Sequence, residues 1–304
     1  MSTPLRVGII GLGARCSIAE NCQLSSVPAE LVGGCDPSPA MRERARAILG
    51  DHPWVESLEE LLDLGIDAAI VTSSDDTHED ITCQLLEAGV GVYLEKPIAI
   101  TIEGADRVLE TAFRTKTPLY VGHNMRHMAV VRILRQVIRD GLIGEVRAIW
   151  CRHFVGNGGD YYFKDWHADR SRTTGLLLQK AAHDIDVMNW LSDSVPERVV
   201  GMGDLMVYGK LTDRSGQGRD RVMGDWFSYE NWPPESLTGL NPVIDVEDLS
   251  MFMMRQVSGT MISYEQCHFT PDYWRNYTVI GTRGRAENFG DGDGGVVRVW
   301  KHRS

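Results

Sequence analysis

Two rhythms of hydrophobic and polar positions divide the chain. Up to about residue 122, short apolar and β-branched runs (Arg6–Gly11, Leu31–Cys35, Asp67–Thr72, Gly91–Leu94, Pro118–Val121) alternate with stretches whose apolar residues recur at helical spacing (Met41–Leu49, Ser57–Leu64, His78–Ala88, Gly104–Phe113). Such alternation predicts βαβ units on a parallel sheet. From about residue 124 one amphipathic helix, His127–Asp140, is followed by long alternating segments, Glu145–Phe154, Glu197–Val207, Asp248–Met254, Gly259–Gln266 and Tyr277–Gly281. These predict a second sheet, mostly antiparallel. The expected architecture is α/β: a parallel-sheet domain over residues 1–122 and, over 123–304, an α/β domain on a large, open, mostly antiparallel sheet. Two stretches follow neither rhythm, Val155–Thr174 and Gly209–Asn241. Both exceed the ~12–15 residues of an ordinary connection, so a function or an interface is expected there.

Composition narrows the partners. At 304 residues the chain can bury two cores. With 42 acidic against 31 basic residues and a net charge of -11, its surface repels phosphate backbones and anionic lipid, which argues against nucleic acid and membrane as partners. No run approaches the ~18 apolar residues of a spanning helix. The opening Met-Ser-Thr-Pro-Leu-Arg has no apolar signal-peptide core. Six cysteines without a Cys-x-x-Cys pair suggest neither metal nor disulfides, and thiols in a reducing cytoplasm are expected.

The first chemistry appears where the first strand ends. Val7–Cys16 reads as a strand entering a glycine turn that opens a helix. Gly11 permits the tight turn, and Gly13 lets the backbone approach a pyrophosphate. Ala14 and Arg15 then start a helix whose N-terminus faces the anion. Cys16 stands at the third fingerprint position in place of Gly or Ala, so helix and strand are expected to pack further apart. Asp36 ends the next strand, where a carboxylate accepts ribose hydroxyls and repels a 2′-phosphate. The cofactor expected is NAD, on a Rossmann domain.

Four more segments, in order, resemble the glucose–fructose oxidoreductase / inositol dehydrogenase (Gfo/Idh/MocA) family: Val71-Thr72-Ser73-Ser74 with His78, Glu95-Lys96-Pro97, Gly122-His123-Asn124-Met125-Arg126, and His183-Asp184-Ile185-Asp186. The resemblance implies a C-terminal sheet that makes subunit contacts, and hydride chemistry on sugars, inositols or related polyols. It implies that Lys96 sits near nicotinamide and substrate oxygen, that His183 exchanges the alcohol proton, and that Thr72, Ser73, His78, Glu95, Lys96 and Asn124 line the dinucleotide. A homodimer or homotetramer is expected. The family also contains enzymes that break glycosidic bonds through transient oxidation, and sensors without catalysis; both stay open as alternatives.

Read physically, oxidation of a carbinol needs a base for its proton and a charge partner for its oxygen. Lys96, at a strand end before proline, suits the second task. His183 lies on a largely apolar predicted helix, Gly175–Leu191, where Gln179, His183 and Asp186 share a stripe edged by Lys180, opposite Leu178, Ala181 and Ile185. The family commonly has Asp one turn before the histidine. Gln179 here cannot balance an imidazolium, and Lys180 adds a cation. Lys180 then contacts substrate oxygens, or the chemistry shifts toward reduction or toward an acidic or carbonyl-bearing substrate. The loop Asp160–His167, with Tyr162, Trp166 and His167, and with Arg170 and Arg172 beyond, reads equally as a substrate wall or as aromatics pinning a long loop. Arg126 is the remaining candidate substrate contact. Trp226, Phe227 and Trp232 are candidates for the same wall or for a subunit contact.

Overall fold

The computed structural model describes residues 3–24, 27–216 and 221–303. Part of the N-terminal run and four residues of the second irregular stretch lie outside the described residues. The chain divides into two compact units, one of Met1–Gly122, Ser171–Thr174 and Gln217–Trp226, the other of His123–Arg170, Gly175–Gly216 and Phe227–Ser304.

The first unit holds strands β1 (Leu5–Ile10), β2 (Ala29–Cys35), β3 (Trp54–Val55), β4 (Ala68–Val71), β5 (Gly91–Leu94) and β6 (Leu119–Val121), all parallel, in the order β3-β2-β1-β4-β5-β6. The order reverses at β1 and β4, the place where open α/β sheets bind ligands beyond their strand ends. Helices α1 (Pro39–Leu49), α2 (Leu58–Asp63), α3 (His78–Glu87) and α4 (Ile102–Thr115) complete it. Three start on side-chain caps the sequence supplies: Ser38 accepts from the Met41 N–H, Ser57 from Glu60, and Thr101 from Gly104. Two expectations fail here. The two-residue β3 carries no pattern of its own. And the segment after the glycine turn, Cys16–Leu24, is a 3₁₀ helix, not an α-helix. The Asn21 side-chain amide donates to the Ile18 carbonyl at 3.0 Å, competing for the acceptor that an α-helical Cys22 N–H would use.

In the second unit α5 (Ala129–Arg139) and α8 (Leu176–Ser192) cover one face of a seven-stranded sheet. Between them in the chain come the short α6 (Gly158–Tyr162) and α7 (Arg170–Thr173); all of α7 but Arg170 belongs to the first unit. Strands β7 (Val146–Phe154), β8 (Pro196–Asp204), β9 (Leu249–Gln256), β10 (Met261–Cys267), β11 (Trp274–Gly281), β12 (Gly284–Phe289) and β13 (Val296–Trp300) run in the order β13-β12-β11-β7-β10-β9-β8. All neighbours are antiparallel except β7 with β10. The core between helices and sheet joins Val131, Leu134 and Val137 of α5 and Val187, Met188 and Leu191 of α8 to Ile149, Ile262 and Val279 of the sheet. Leu178 and Ile185 are only half-buried, whereas Ala181, Asp184, Val187, Met188 and Leu191 are buried. The core-facing stripe of α8 therefore runs through a carboxylate, which the hydrophobic pattern alone does not show.

Candidate functional site

Each unit carries one part of the candidate machinery. In the first, the turn after β1 is shaped by one glycine and left open by another. Gly11 has φ +87°, and a Cβ there would meet the Ser73 backbone nitrogen at 2.4 Å, so only glycine fits against the end of β4. At Gly13 a Cβ would meet nothing within 4 Å, which leaves room for a ligand to reach the backbone. Asp36 shapes the same turn, since its carboxylate accepts the Leu12 N–H at 2.9 Å and the Ser38 N–H at 2.9 Å. A carboxylate has about four lone-pair sites, so two ribose hydroxyls remain within its capacity. The residues present fit a dinucleotide. Cys16 is buried in the small cluster of Ile9, Leu12, Met41 and Ala45, and its N–H is taken by the Gly13 carbonyl at 3.2 Å.

The other cofactor candidates fall at the neighbouring strand ends. The Thr72 hydroxyl donates to the Gly11 carbonyl at 2.7 Å, locking β4 to the turn. Arg15 reaches Glu95 at 2.7 Å, joining the turn to the end of β5, while Ala14 beside it is exposed. Ser73 is half-buried, as is Lys96, whose N–H bonds the Glu95 carboxylate at 3.2 Å. His78 is 1% exposed, with ring nitrogens 2.7 Å from the Pro97 carbonyl and 3.1 Å from that of Ser73. It braces two loops from behind, in place of the dinucleotide contact expected of it. Val222 and Trp226 also pack into this unit, Val222 among Ile9 and Leu12, with Arg44 3.3 Å from Asp225. Trp226, 9% exposed, thus packs within the first unit. Arg172 belongs here too, pairing with Asp76 at 3.3 Å.

In the second unit a cavity of about 590 Å³ opens beside His183. α8 contributes His183 and Lys180, β7 His153, α6 Tyr161 and Tyr162, and β11 Arg275, with Tyr273 just before that strand; Asn124, His127 and Asn157 complete the polar lining. Behind this wall lies a buried charge network that the sequence reading missed. The Asp184 carboxylate, 0% exposed, is 3.2 Å from Arg275 Nε and 3.2 Å from His153 Nδ1; the Tyr264 hydroxyl donates to it at 3.0 Å and Tyr277 donates to its other oxygen. Arg275 also donates to His153 Nε2 at 3.0 Å and to the Tyr273 hydroxyl at 2.9 Å, and lies 3.2 Å from Asp291. With a carboxylate at one ring nitrogen and a guanidinium donor at the other, these partners assign His153 as the neutral Nδ1–H tautomer. Burial, then the Arg275 charge, lowers its pKa to about 4. Burial alone would raise the Asp184 pKa; Arg275 and the hydrogen bonds from His153 and Tyr277 reverse that and hold it below the usual carboxylate range. The available signal was a polar residue interrupting a buried alternation: His153 after Ile149 and Cys151, and Arg275 before Tyr277 and Val279.

The aromatic loop divides between its two readings. Tyr161 and Tyr162 face the cavity, with Phe227 behind Tyr161 at 5.5 Å between ring centres. Phe163 is fully buried and stacks on Tyr208, while His167 is buried, stacked on Trp166 and bonded to Asp165 at 2.6 Å. Trp166 and His167 thus support the wall and are not part of it. Gln179 is 7% exposed and also lies behind the lining, and Arg126 is held by Asp186 at 2.7 Å. Arg170 pairs with Glu247 at 3.1 Å. Asn124, expected at the dinucleotide, is exposed on the cavity lining.

Residues 5–123 match the model of an oxidoreductase family with an NAD-binding Rossmann fold, and residues 131–287 match the GFO/IDH/MocA C-terminal domain. The chain belongs to the GFO/IDH/MocA family. Its first unit is therefore an NAD-binding Rossmann domain. Similar curated members include YteT of Bacillus subtilis, 28% identical over 73% of this chain and 60% of that one. Another is inositol 2-dehydrogenase of Rhizobium meliloti, 26% identical over 75% of this chain and 63% of that one. The chain thus spans roughly six-tenths of the length of these two relatives. Among solved structures, the WlbA dehydrogenase of Bordetella pertussis, crystallised with NADH and UDP-GlcNAcA, superposes with a TM-score of 0.76 at 21% identity, over 94% of this chain and 74% of that one, which speaks to the fold. No helix among the described residues is long and apolar enough to cross a membrane, no group of His, Cys, Asp or Glu among them could hold a metal, and the six cysteines are free thiols.

Proposed function

We propose that this family member is an NAD-dependent oxidoreductase that moves a hydride between nicotinamide and a carbinol of a sugar, inositol or related polyol. The observation that carries the reading is the cavity beside His183, whose lining offers hydroxyl, amide and imidazole groups suited to a polyhydroxylated ring. NAD supplies the hydride acceptor or donor when bound. The Gly11–Gly13 turn and Asp36 hold it. The Lys96 ammonium stabilises charge developing on the carbinol oxygen, and His183 takes or returns the hydroxyl proton. Gln179 cannot offset an imidazolium, so His183 works as a weaker base than it would beside a carboxylate.

The protein is proposed to act in the cytoplasm as a homodimer or homotetramer assembled through the outer face of the second sheet. That face carries a cross-strand row of Val200, Met253, Ser263 and Trp150, with Val200 63%, Met253 57% and Trp150 53% exposed. Light scattering should give a multiple of 33.9 kDa.

The test of the activity is a screen of sugars, inositols and keto-sugars for a change in NADH absorbance, repeated on Lys96→Ala and His183→Ala. Each variant should lose about 10²–10⁴-fold in kcat while binding NAD nearly as wild type. Wild-type turnover in both variants, or no redox change with any such compound, would overturn the reading. A product released without net NADH would point to the bond-cleaving alternative.

A further inference from the structure

The cavity lining contains a hydroxyl whose hydrogen-bond direction is fixed by its partners. Tyr273, just before β11, lines the cavity and is 49% exposed. Its oxygen lies 2.6 Å from the Asp291 carboxylate and accepts from Arg275 Nη1 at 2.9 Å. The same carboxylate oxygen accepts from Arg275 Nη1 at 3.2 Å. A guanidinium only donates and a carboxylate only accepts, so the phenol proton goes to Asp291. Burial raises the Tyr273 pKa above the ordinary tyrosine value; the Arg275 charge opposes this and the bond to Asp291 adds to it, so the proton stays on the phenol. Arg275 takes one lone pair of the oxygen, and what remains for a ligand is the other. Tyr273 therefore meets a ligand as an acceptor. Asp291 itself is not on the lining: its side chain is 11% exposed and comes from the glycine-rich loop between β12 and β13, Gly290-Asp291-Gly292-Asp293-Gly294-Gly295. Gly290 and Gly294 hold φ +76° and +87°, and buried Asn288 donates to the Gly290 carbonyl at 2.9 Å and to the Arg275 carbonyl at 3.1 Å, which ties the loop to β11. A residue on the outer hairpin thus sets which way a hydroxyl of the cavity lining points. His153, next to Tyr273 at 5.8 Å between ring centres, offers no second acceptor, since Asp184 and Arg275 occupy its two ring nitrogens.

An acceptor of fixed direction discriminates by what it refuses. A hydroxyl gives it a proton, whereas a carbonyl, ether or carboxylate oxygen sets lone pair against lone pair and leaves acceptors unpaired. The carbinol that is oxidised loses its proton in the reaction, so it is not a group that Tyr273 could hold in both redox states. We infer that Tyr273 is a specificity-determining residue that accepts from a second, non-reacting hydroxyl of the substrate, and that Asp291 is the positioning residue that fixes this direction. The site then selects polyols that keep a free hydroxyl besides the reacting one, and simple alcohols are poor ligands. The inference rests on reading this cavity as the substrate site.

The test uses myo-inositol, scyllo-inositol, D-glucose and D-galactose, each beside analogues in which one hydroxyl in turn is replaced by fluorine, which removes the donor at little change in size. Binding to the NAD-loaded protein is measured by calorimetric titration, with turnover followed separately. For a compound that binds, fluorine at one position should weaken wild-type binding about tenfold or more, and Tyr273→Phe should shrink that loss to within about threefold. Asp291→Ala, which frees the phenol proton to turn toward the ligand, should shrink it likewise, and Asp291→Asn, whose amide oxygen keeps the acceptor, should restore most of it. A merely structural Asp291 would weaken parent and analogues alike. The inference is overturned by the lack of any position whose loss depends on Tyr273, by a selectivity that survives Asp291→Ala, or by no binding of any of the four compounds at millimolar concentration. Polyols oxidised without a Tyr273-dependent position would do so while leaving the oxidoreductase reading intact. Selectivity that depends on Tyr273 and Asp291 with no hydride moved would support the inference and remove the oxidoreductase reading.

Discussion

The two halves of the candidate machinery are built on opposite principles. The turn after β1 recognises with backbone: a glycine that must be glycine, a second glycine facing open space, and the carboxylate of Asp36 at the end of the next strand. The cavity of the second unit, proposed to take the substrate, presents side chains, held by a fully buried carboxylate from α8 and a largely buried guanidinium from β11. At Gly13 the cradle demands little of the core, so a change there should affect binding and leave stability nearly alone. A wall standing on buried charges ties recognition to folding, because a buried ion that loses its partner is costly.

The largest effect that could break this contrast is at Asp184. Asp184→Asn leaves the Arg275 guanidinium without its innermost counter-charge, and we expect a loss of about 3–5 kcal/mol in denaturant unfolding. A loss below about 1 kcal/mol would mean that the network does not support the wall.

The next is a dependence on pH. Unfolded, His153 takes up its proton near the ordinary histidine value of 6.5; folded, it does so only near 4. Between those values the unfolded chain binds more protons, so stability falls as pH drops, by about 3 kcal/mol from pH 7 to pH 4 from this residue. His268, fully buried and pushed well below the usual range by burial, acts in the same direction. Asp184 adds its share only at still lower pH, because its folded value is depressed. Unfolding titrations of His153→Gln should show a shallower acid slope; parallel slopes would exclude His153 as the source.

The smallest effects belong to the cradle. Gly13→Ala should weaken NAD binding about tenfold with a change in stability within ~0.5 kcal/mol, since the new methyl meets only the ligand's space. Fluorescence titration beside a thermal melt separates the two, and a fall in both would erase the contrast. NAD should bind roughly tenfold more tightly than NADP, and Asp36→Ala should remove most of that margin. Because Asp36 also holds the Leu12 and Ser38 N–H groups, a modest loss of stability is expected with it.

Much of the first unit was legible because its information is local. Strand, turn, second strand and acid follow one another within residues 5–36, and each residue acts where the chain places it. Even so, the 3₁₀ form of Cys16–Leu24 and the bracing role of His78 depended on which carbonyl a side chain meets. Of the second unit, its mostly antiparallel sheet, its two long helices and His183 were legible; its wall was only half so. Tyr162 and Trp166 carry the same aromatic signal in one loop, yet one faces the cavity and the other packs on His167.

By itself the sequence determined the α/β architecture, the dinucleotide turn, the acid that follows it and the family motifs around Lys96 and His183, because periodicity and short spacing encode burial and local backbone form directly. Only the tertiary structure decided that Asp184 faces the core, that His153 and Arg275 meet across 122 residues of chain, and that Tyr161 and Tyr162 line the cavity beside His183. Hydrophobic patterning says which face of an element is buried, but which polar groups meet on that face is set by sheet order and register, which pair residues far apart in the chain.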